Sequence, residues 1–407
     1  MADNKCTWTV TIVVIHDGVH DHVYDELEQS ILQQQLTGSI RYVIFYYYQQ
    51  AGRVLVKELI YHNNFQQIET IDSYSADLYD TATLLNFFRS GPGPDLHLNR
   101  SRRQMVIISG HGAGLGYFAE RTPDKGIRMF TAEQLKTVLQ QGIGRADVLI
   151  TVSCYTQLLE TGYTLKEVAD LLIAPQGSMT YYGIHYARLF NLLEADPSVS
   201  LREIAENVTT NFLPKYYEEP FRTWWLNRYE DEQDPNLVSL SANYLKEYDD
   251  LVECVNELTD FLLQSFEEDG ADLLLAVIRA RRSCGELTPS KAFGFIDLNF
   301  FIQQLLREAG PVQPLQNIED RFSKIRQRCI ASLHKPPGPP DLYAPVCRKG
   351  VYTTDSPSFL SIFFPAFSTT AEQLAIRTIY YSIDGQLQQF RSNCRWEKFI
   401  REFFNRT

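Results

Sequence analysis

Two residues in this sequence stand where chemistry could be done. His111 lies in Gly110-His111-Gly112-Ala113-Gly114-Leu115-Gly116, directly after the apolar run Met105-Val106-Ile107-Ile108-Ser109. Cys154 follows a second run, Val148-Leu149-Ile150-Thr151-Val152-Ser153. Each run has the length and continuity of a strand buried on both faces, and each ends on one reactive side chain. In an open α/β sheet, sites form at the carboxyl ends of parallel strands. A thiol and an imidazole delivered together to that edge would serve as nucleophile and proton-transfer partner. A free cysteine at a strand end also packs well as a small hydrophobe, so Cys154 by itself fits a core position too. His111 fits one less easily, because the glycines around it supply no packing bulk.

The surroundings of this pair resemble the clostripain-like cysteine peptidases, a family of the caspase-like structural class. Trp8-Thr9-Val10-Thr11-Ile12-Val13-Val14-Ile15 is similar to that family's first strand, and Asp80–Phe88 to the helix before its histidine strand. After the cysteine, Leu158–Tyr163 and Glu167–Ala174 are similar to its next helix and strand, and Leu360–Pro365 to a signature strand near the end. The resemblance implies a caspase-like three-layer α/β sandwich with a mostly parallel sheet, and a cysteine endopeptidase working through a His111–Cys154 dyad. The thiolate of Cys154 would attack a peptide carbonyl, and His111 would protonate the leaving amine and then help activate water. The backbone N–H groups of Gly112 and Cys154 would hold the oxyanion. In similar peptidases a cut between the histidine and cysteine strands accompanies activation, which draws attention to Tyr117–Met129 and its Arg121, Lys125 and Arg128.

One departure bears on specificity. Basic-specific relatives usually carry an aspartate two residues before the cysteine, where this chain has Val152, and acids after the following strand, where it has Pro175-Gln176-Gly177-Ser178. Val152, Gln176 and Ser178 are thus the candidate substrate-binding residues. A pocket for Arg or Lys needs a compensating carboxylate, since an unpaired buried charge is costly to desolvate. The residue before the scissile bond is therefore expected not to be basic. A catalytically silent homologue acting as a binding or regulatory module is the alternative, with a small-molecule thiol hydrolase on the same sheet as a third reading.

The elements that would position these residues can be followed along the chain. Trp8–Ile15 suits a central parallel strand, and a helix over Tyr24–Gln34 follows the His- and Asp-rich loop His16–His22. Arg41–Tyr48 and Val54–Tyr61, separated by a Gly-containing turn, read as a hairpin. A helix is expected over Ala76–Phe88, an exposed polar loop over Tyr117–Met129, and a helix over Ala132–Leu139. A helix over Val199–Phe212 would start at Ser198 or Ser200. From Ser241 the period is helical, with further helices over Asp269–Ala280, Asp297–Arg307 and Gln316–Leu333. Lys335–Pro340 is an extended linker, Gly350–Phe367 short strands and Trp396–Phe404 a final helix. The organisation expected is a catalytic domain over 1–213, a linking segment over 214–240, and over 241–407 a mainly helical C-terminal region with a small β element.

Composition narrows the remaining classes. The chain has 407 residues, 38 basic against 50 acidic, for a net charge of −12. Its short basic clusters form no stripe, which argues against nucleic-acid binding. No uninterrupted apolar run reaches the length of a membrane span. The 7 cysteines include no CxxC pair, which speaks against a zinc ribbon and for reduced thiols in a cytoplasmic setting, with no leader sequence at Met1–Lys5. Three His and two Asp in His16–His22 could ligate a metal, but so close a set in one loop more often leads into a helix. No metal or other cofactor is expected: the acidic segment Pro214–Pro235 lacks the alternating ligands and central glycine of a calcium loop. The expected partner is a protein or peptide substrate, and no motif specifies an oligomeric state.

Overall fold

A computed structural model describes residues 6–16, 21–34, 37–62, 65–90, 101–121, 127–177, 179, 183–212, 240–268, 270–284, 294–333, 359–365, 380 and 387–407. Its centre is a nine-stranded sheet whose strands come from both halves of the chain. In chain order these are β1 (Trp8–His16), β2 (Ile40–Tyr48), β3 (Arg53–His62), β4 (Phe65–Ser75), β5 (Arg103–Ser109), β8 (Ala146–Val152), β9 (Ala169–Pro175), β10 (Leu240–Tyr244) and β12 (Ile330–Leu333). The spatial order is β12-β10-β9-β8-β5-β1-β2-β3-β4. Strands β2, β1, β5, β8 and β9 run parallel side by side, while β3, β4, β10 and β12 form antiparallel margins. The parallel strands are apolar on successive residues because both faces are covered.

Alternation along each strand sorts these side chains into two cores. Val10, Ile12, Met105, Ile107, Val148 and Ile150 face helices α1 (Asp21–Leu32), α5 (Tyr186–Ala195) and α6 (Leu201–Thr210). Val13, Val106, Ile108, Leu149 and Leu172 face α2 (Thr81–Ser90), α3 (Ala132–Gly142) and α4 (Leu159–Leu165). The second layer is extended by the later helices, with Leu251, Val255 and Leu258 of Tyr248–Glu267 in the same core. The result is an α/β sandwich of three layers, with helices filling its C-terminal half. Local signals set several boundaries. Thr131 and Gln134 close a reciprocal capping box on α3, and Ser200 and Glu203 do the same on α6, so Ser200 and not Ser198 starts that helix.

Three segments differ from their sequence reading. Tyr117–Met129 is no exposed loop throughout: β6 (Gly116–Arg121) and β7 (Ile127–Thr131) form a hairpin that buries Tyr117, Phe118, Met129 and Phe130. Residues 240–244 form β10 where a helix was expected to begin, because Leu240 and Ala242 fill one core while β10 pairs with β9. The helix expected to reach Leu333 stops at Cys329, and Ile330–Leu333 turns into β12 against β10. A further small sheet joins β11 (Phe295–Asp297) to β13 (Ser361–Phe363). Asp17–His20, Lys125, Ser178, the segment 214–235 and the proline run 336–340 lie outside the described residues.

Candidate active site

Strands β5 and β8 are direct neighbours, with Ser109 opposite Val152 at their carboxyl ends. The ladder continues one step further, the N–H of Gly110 donating to the carbonyl of Val152 at 3.2 Å. His111 and Cys154 therefore leave adjacent strand tips on one edge of the sheet. The backbone of His111 is pinned from outside, its carbonyl accepting the N–H of Ala119 at 3.0 Å while its side chain is exposed. Gly112, next along, bridges to Tyr117 of the β6–β7 hairpin and lies against the cysteine turn. A Cβ at Gly112 would stand 2.8 Å from the backbone nitrogen of Cys154 and 2.9 Å from the Cβ of Ser153, closer than real Cβ contacts. Only glycine lets the two loops meet at this distance.

The cysteine turn is laced to the exit of β9. Tyr155 N–H donates to the Gly177 carbonyl at 2.8 Å, and Gln157 N–H to that of Pro175 at 3.0 Å. Thr156 Oγ1 donates to the Ser153 carbonyl at 2.8 Å, closing the turn from within. Tyr155 itself has φ of 63°, a left-handed conformation that is costly for a bulky residue and persists only where surrounding contacts over-determine it. The half-buried thiol of Cys154 accepts the backbone N–H of Met179 at 3.2 Å. One edge thus collects an imidazole, a thiol with a donor aimed at it, and two backbone N–H groups on residues in contact. That set can form and hydrolyse an acyl thioester.

Residues 9–283 match the model of the clostripain family, Peptidase C11. The chain belongs to this family of cysteine peptidases. Its fold recurs in a secreted C11 cysteine protease from Bacteroides thetaiotaomicron solved with an irreversible peptide inhibitor, with a TM-score of 0.64 and 13% identity over 97% of this chain and 99% of that one. A second structure of a secreted C11 cysteine protease from that organism gives 0.61 and 16%, over 91% and 99%. An inactive zymogen C11 protease from Parabacteroides distasonis gives 0.61 and 14%, over 97% and 98%. No curated protein matches the sequence.

Of the other candidate residues in this clostripain-family chain, Val152 closes β8 in a buried apolar cluster with Met179 and Ile184. Gly183 is packed so closely on it that a Cβ there would lie 2.6 Å from Val152 Cγ1. Gln176 is fully buried, and its Nε2 donates to Asp297 Oδ2 at 3.1 Å. Met179, Asp297 and Phe295 were not singled out from the sequence. Asp297 does carry a signal, as the N-cap of the helix Leu298–Ala309, but nothing in its spacing points back to residue 176. Among the described residues no helix is long and apolar enough to cross a membrane.

Proposed function

We propose that this chain hydrolyses peptide bonds with Cys154 as nucleophile and His111 as its proton-transfer partner. The observation that carries the reading is the close packing of Gly112 on Cys154 at two adjacent strand tips. The thiol of Cys154 gives its proton to His111 as the sulfur adds to the carbonyl carbon, and the oxyanion takes hydrogen bonds from the N–H groups of Gly112 and Cys154. His111 delivers a proton to the nitrogen as the C–N bond breaks, and the amine leaves. Water then adds to the thioester, losing its proton to His111, and the thiolate departs with the acid product released. The apolar core around Val152, with Met179 and Ile184 in it, supports a neutral residue before the scissile bond.

Incubating the purified chain with a peptide library, beside Cys154→Ala and His111→Ala, tests this. Turnover is expected only in the parent chain, with both variants melting within a few degrees of it. Turnover in Cys154→Ala would refute the nucleophile. A folded parent chain whose Cys154 reacts with an acyloxymethyl ketone but cleaves nothing in the library would favour a different acyl substrate. One inert to both would indicate a silent homologue.

A further inference from the structure

We propose that Asp297, far outside the two catalytic loops, is a positioning residue for the Cys154 site, acting through Gln176 on the turn that carries Met179. This rests on the reading of Cys154 as the nucleophile. Asp297 is buried at the end of β11, and its two carboxylate oxygens have separate tasks. Oδ1 accepts the N–H of Phe300 at 2.7 Å and caps the helix Leu298–Ala309. Oδ2 accepts Gln176 Nε2 across 121 residues of sequence. Capping alone needs one oxygen, which Ser or Thr supplies. The second oxygen is what reaches the site.

Gln176 is the first residue beyond β9, so fixing its side chain fixes where the chain goes next. The next residue, Gly177, accepts the N–H of Tyr155, and Met179 two residues on donates to the Cys154 sulfur. A hydrogen bond to a fully buried amide is a stiff tie, because breaking it leaves two desolvated polar groups. The same short strand touches the other two loops. The Phe295 ring packs against Tyr155 at 6.1 Å between centroids, and it fills the space a Cβ on Gly114 would need, with ring carbons at 2.4 and 2.5 Å. Gly114 also has φ of 77°, so the glycine is required there twice over. One strand from the C-terminal half therefore braces the histidine loop, the cysteine turn and the Met179 turn together.

Two substitutions separate bracing from capping. Asp297→Ser keeps an oxygen for Phe300 N–H but is too short to reach Gln176 as well. Asp297→Asn keeps both: its Oδ1 caps, and its Nδ2 donates to Gln176 Oε1, which has no partner among the described residues, after a flip of that amide. Both are neutral, so any loss of attraction between Asp297 and Arg326 is common to the two. The readouts are the rate of alkylation of Cys154 by iodoacetamide, followed by peptide mass spectrometry, and kcat and KM on a cleaved peptide. Asp297→Ser is expected to slow alkylation about tenfold and to lower kcat more than KM changes, while Asp297→Asn stays within about twofold of the parent. Equal Cys154 alkylation rates in the two folded variants would overturn the proposal. That measurement needs no peptidase activity, so a failure of the peptidase reading, with reactive Cys154 and no cleavage, is seen separately.

Discussion

A Cβ atom placed on Gly112 would lie 2.5 Å from the carbonyl oxygen of Cys154. No side-chain rotation relieves that contact, since the neighbour is backbone on a turn already held by Tyr155 and Gln157. Gly112→Ala must therefore push the histidine loop off the cysteine turn and, on the proposed reading, move the oxyanion donors with it. The expected outcome is a fall in kcat/KM of about a hundredfold or more, comparable to losing one oxyanion donor. Steady-state kinetics on a cleaved peptide would show it, and an alanine variant with parental kinetics would remove Gly112 from the oxyanion site.

Specificity gives a second test. On the proposed reading Val152 takes the position where a carboxylate would be needed to hold a guanidinium, and it lies in the apolar core that also holds Met179 and Ile184. Substrates differing only in the residue before the scissile bond should rank neutral side chains above Arg by about tenfold or more, since Arg would forgo a charge-assisted pair and still be desolvated. Val152→Asp is expected to narrow that gap, at some cost in melting temperature from burying a carboxylate. A parent chain that prefers Arg would mean that an acid from another segment enters the pocket.

Much of this site could be read from the sequence because its two strands are unmistakable. Met105–Ile108 and Val148–Val152 are apolar on every residue but Thr151, and the parallel pairing of β5 with β8 brings their tips to one edge. The β2–β3 hairpin was legible for a similar reason, a Gly-containing turn between two aromatic and β-branched runs. The hairpin Gly116–Thr131 was not, because Glu120, Arg121 and Arg128 give a polar average to a segment whose four large side chains are buried. Ile330–Leu333 continues a helical period for four residues, and only its pairing with β10 makes it a strand. The Asp297–Gln176 tie is beyond any local rule. It is a contact between elements from opposite halves of the chain, made possible because β10 and β12 carry the later helices onto the same sheet.

That shared core predicts a stability effect. A Cβ on Gly162 in α4 would come within 2.1 Å of Cε1 and 2.6 Å of Cζ of Tyr248, at the start of the helix Tyr248–Glu267. Tyr248 is fully buried and cannot swing away freely. Gly162→Ala should destabilise the chain by about 1–3 kcal/mol through overpacking, despite alanine's higher helix propensity. Chemical denaturation would measure it; a stabilised variant would mean that the two helices are not packed as described.

Glu160 supplies the dependence on pH. It lies fully buried in the first turn of α4, with Oε1 accepting the N–H of Phe363 at 3.0 Å and Oε2 without a hydrogen-bond partner among the described residues. Desolvation pushes its pKa up from 4.5 to about 7, against the opposing pull of the Phe363 and its own backbone N–H groups. A carboxyl group whose pKa is raised on folding holds its proton in the native state where the unfolded chain has already lost it. Its contribution to stability is thus fully present below pH 4.5 and is lost as pH rises to about 7. The 2.5-unit difference between 7 and 4.5 corresponds to about 3 kcal/mol. Glu160→Gln is neutral throughout, can still accept from Phe363 and carries no such slope. Urea denaturation of the two chains at a series of pH values should show the parent losing ground to Glu160→Gln between pH 4.5 and 7, other titrating groups cancelling in the difference. Parallel stability curves across that window would mean that Glu160 ionises in the folded chain as it does in water, and that α4 and β13 do not enclose it.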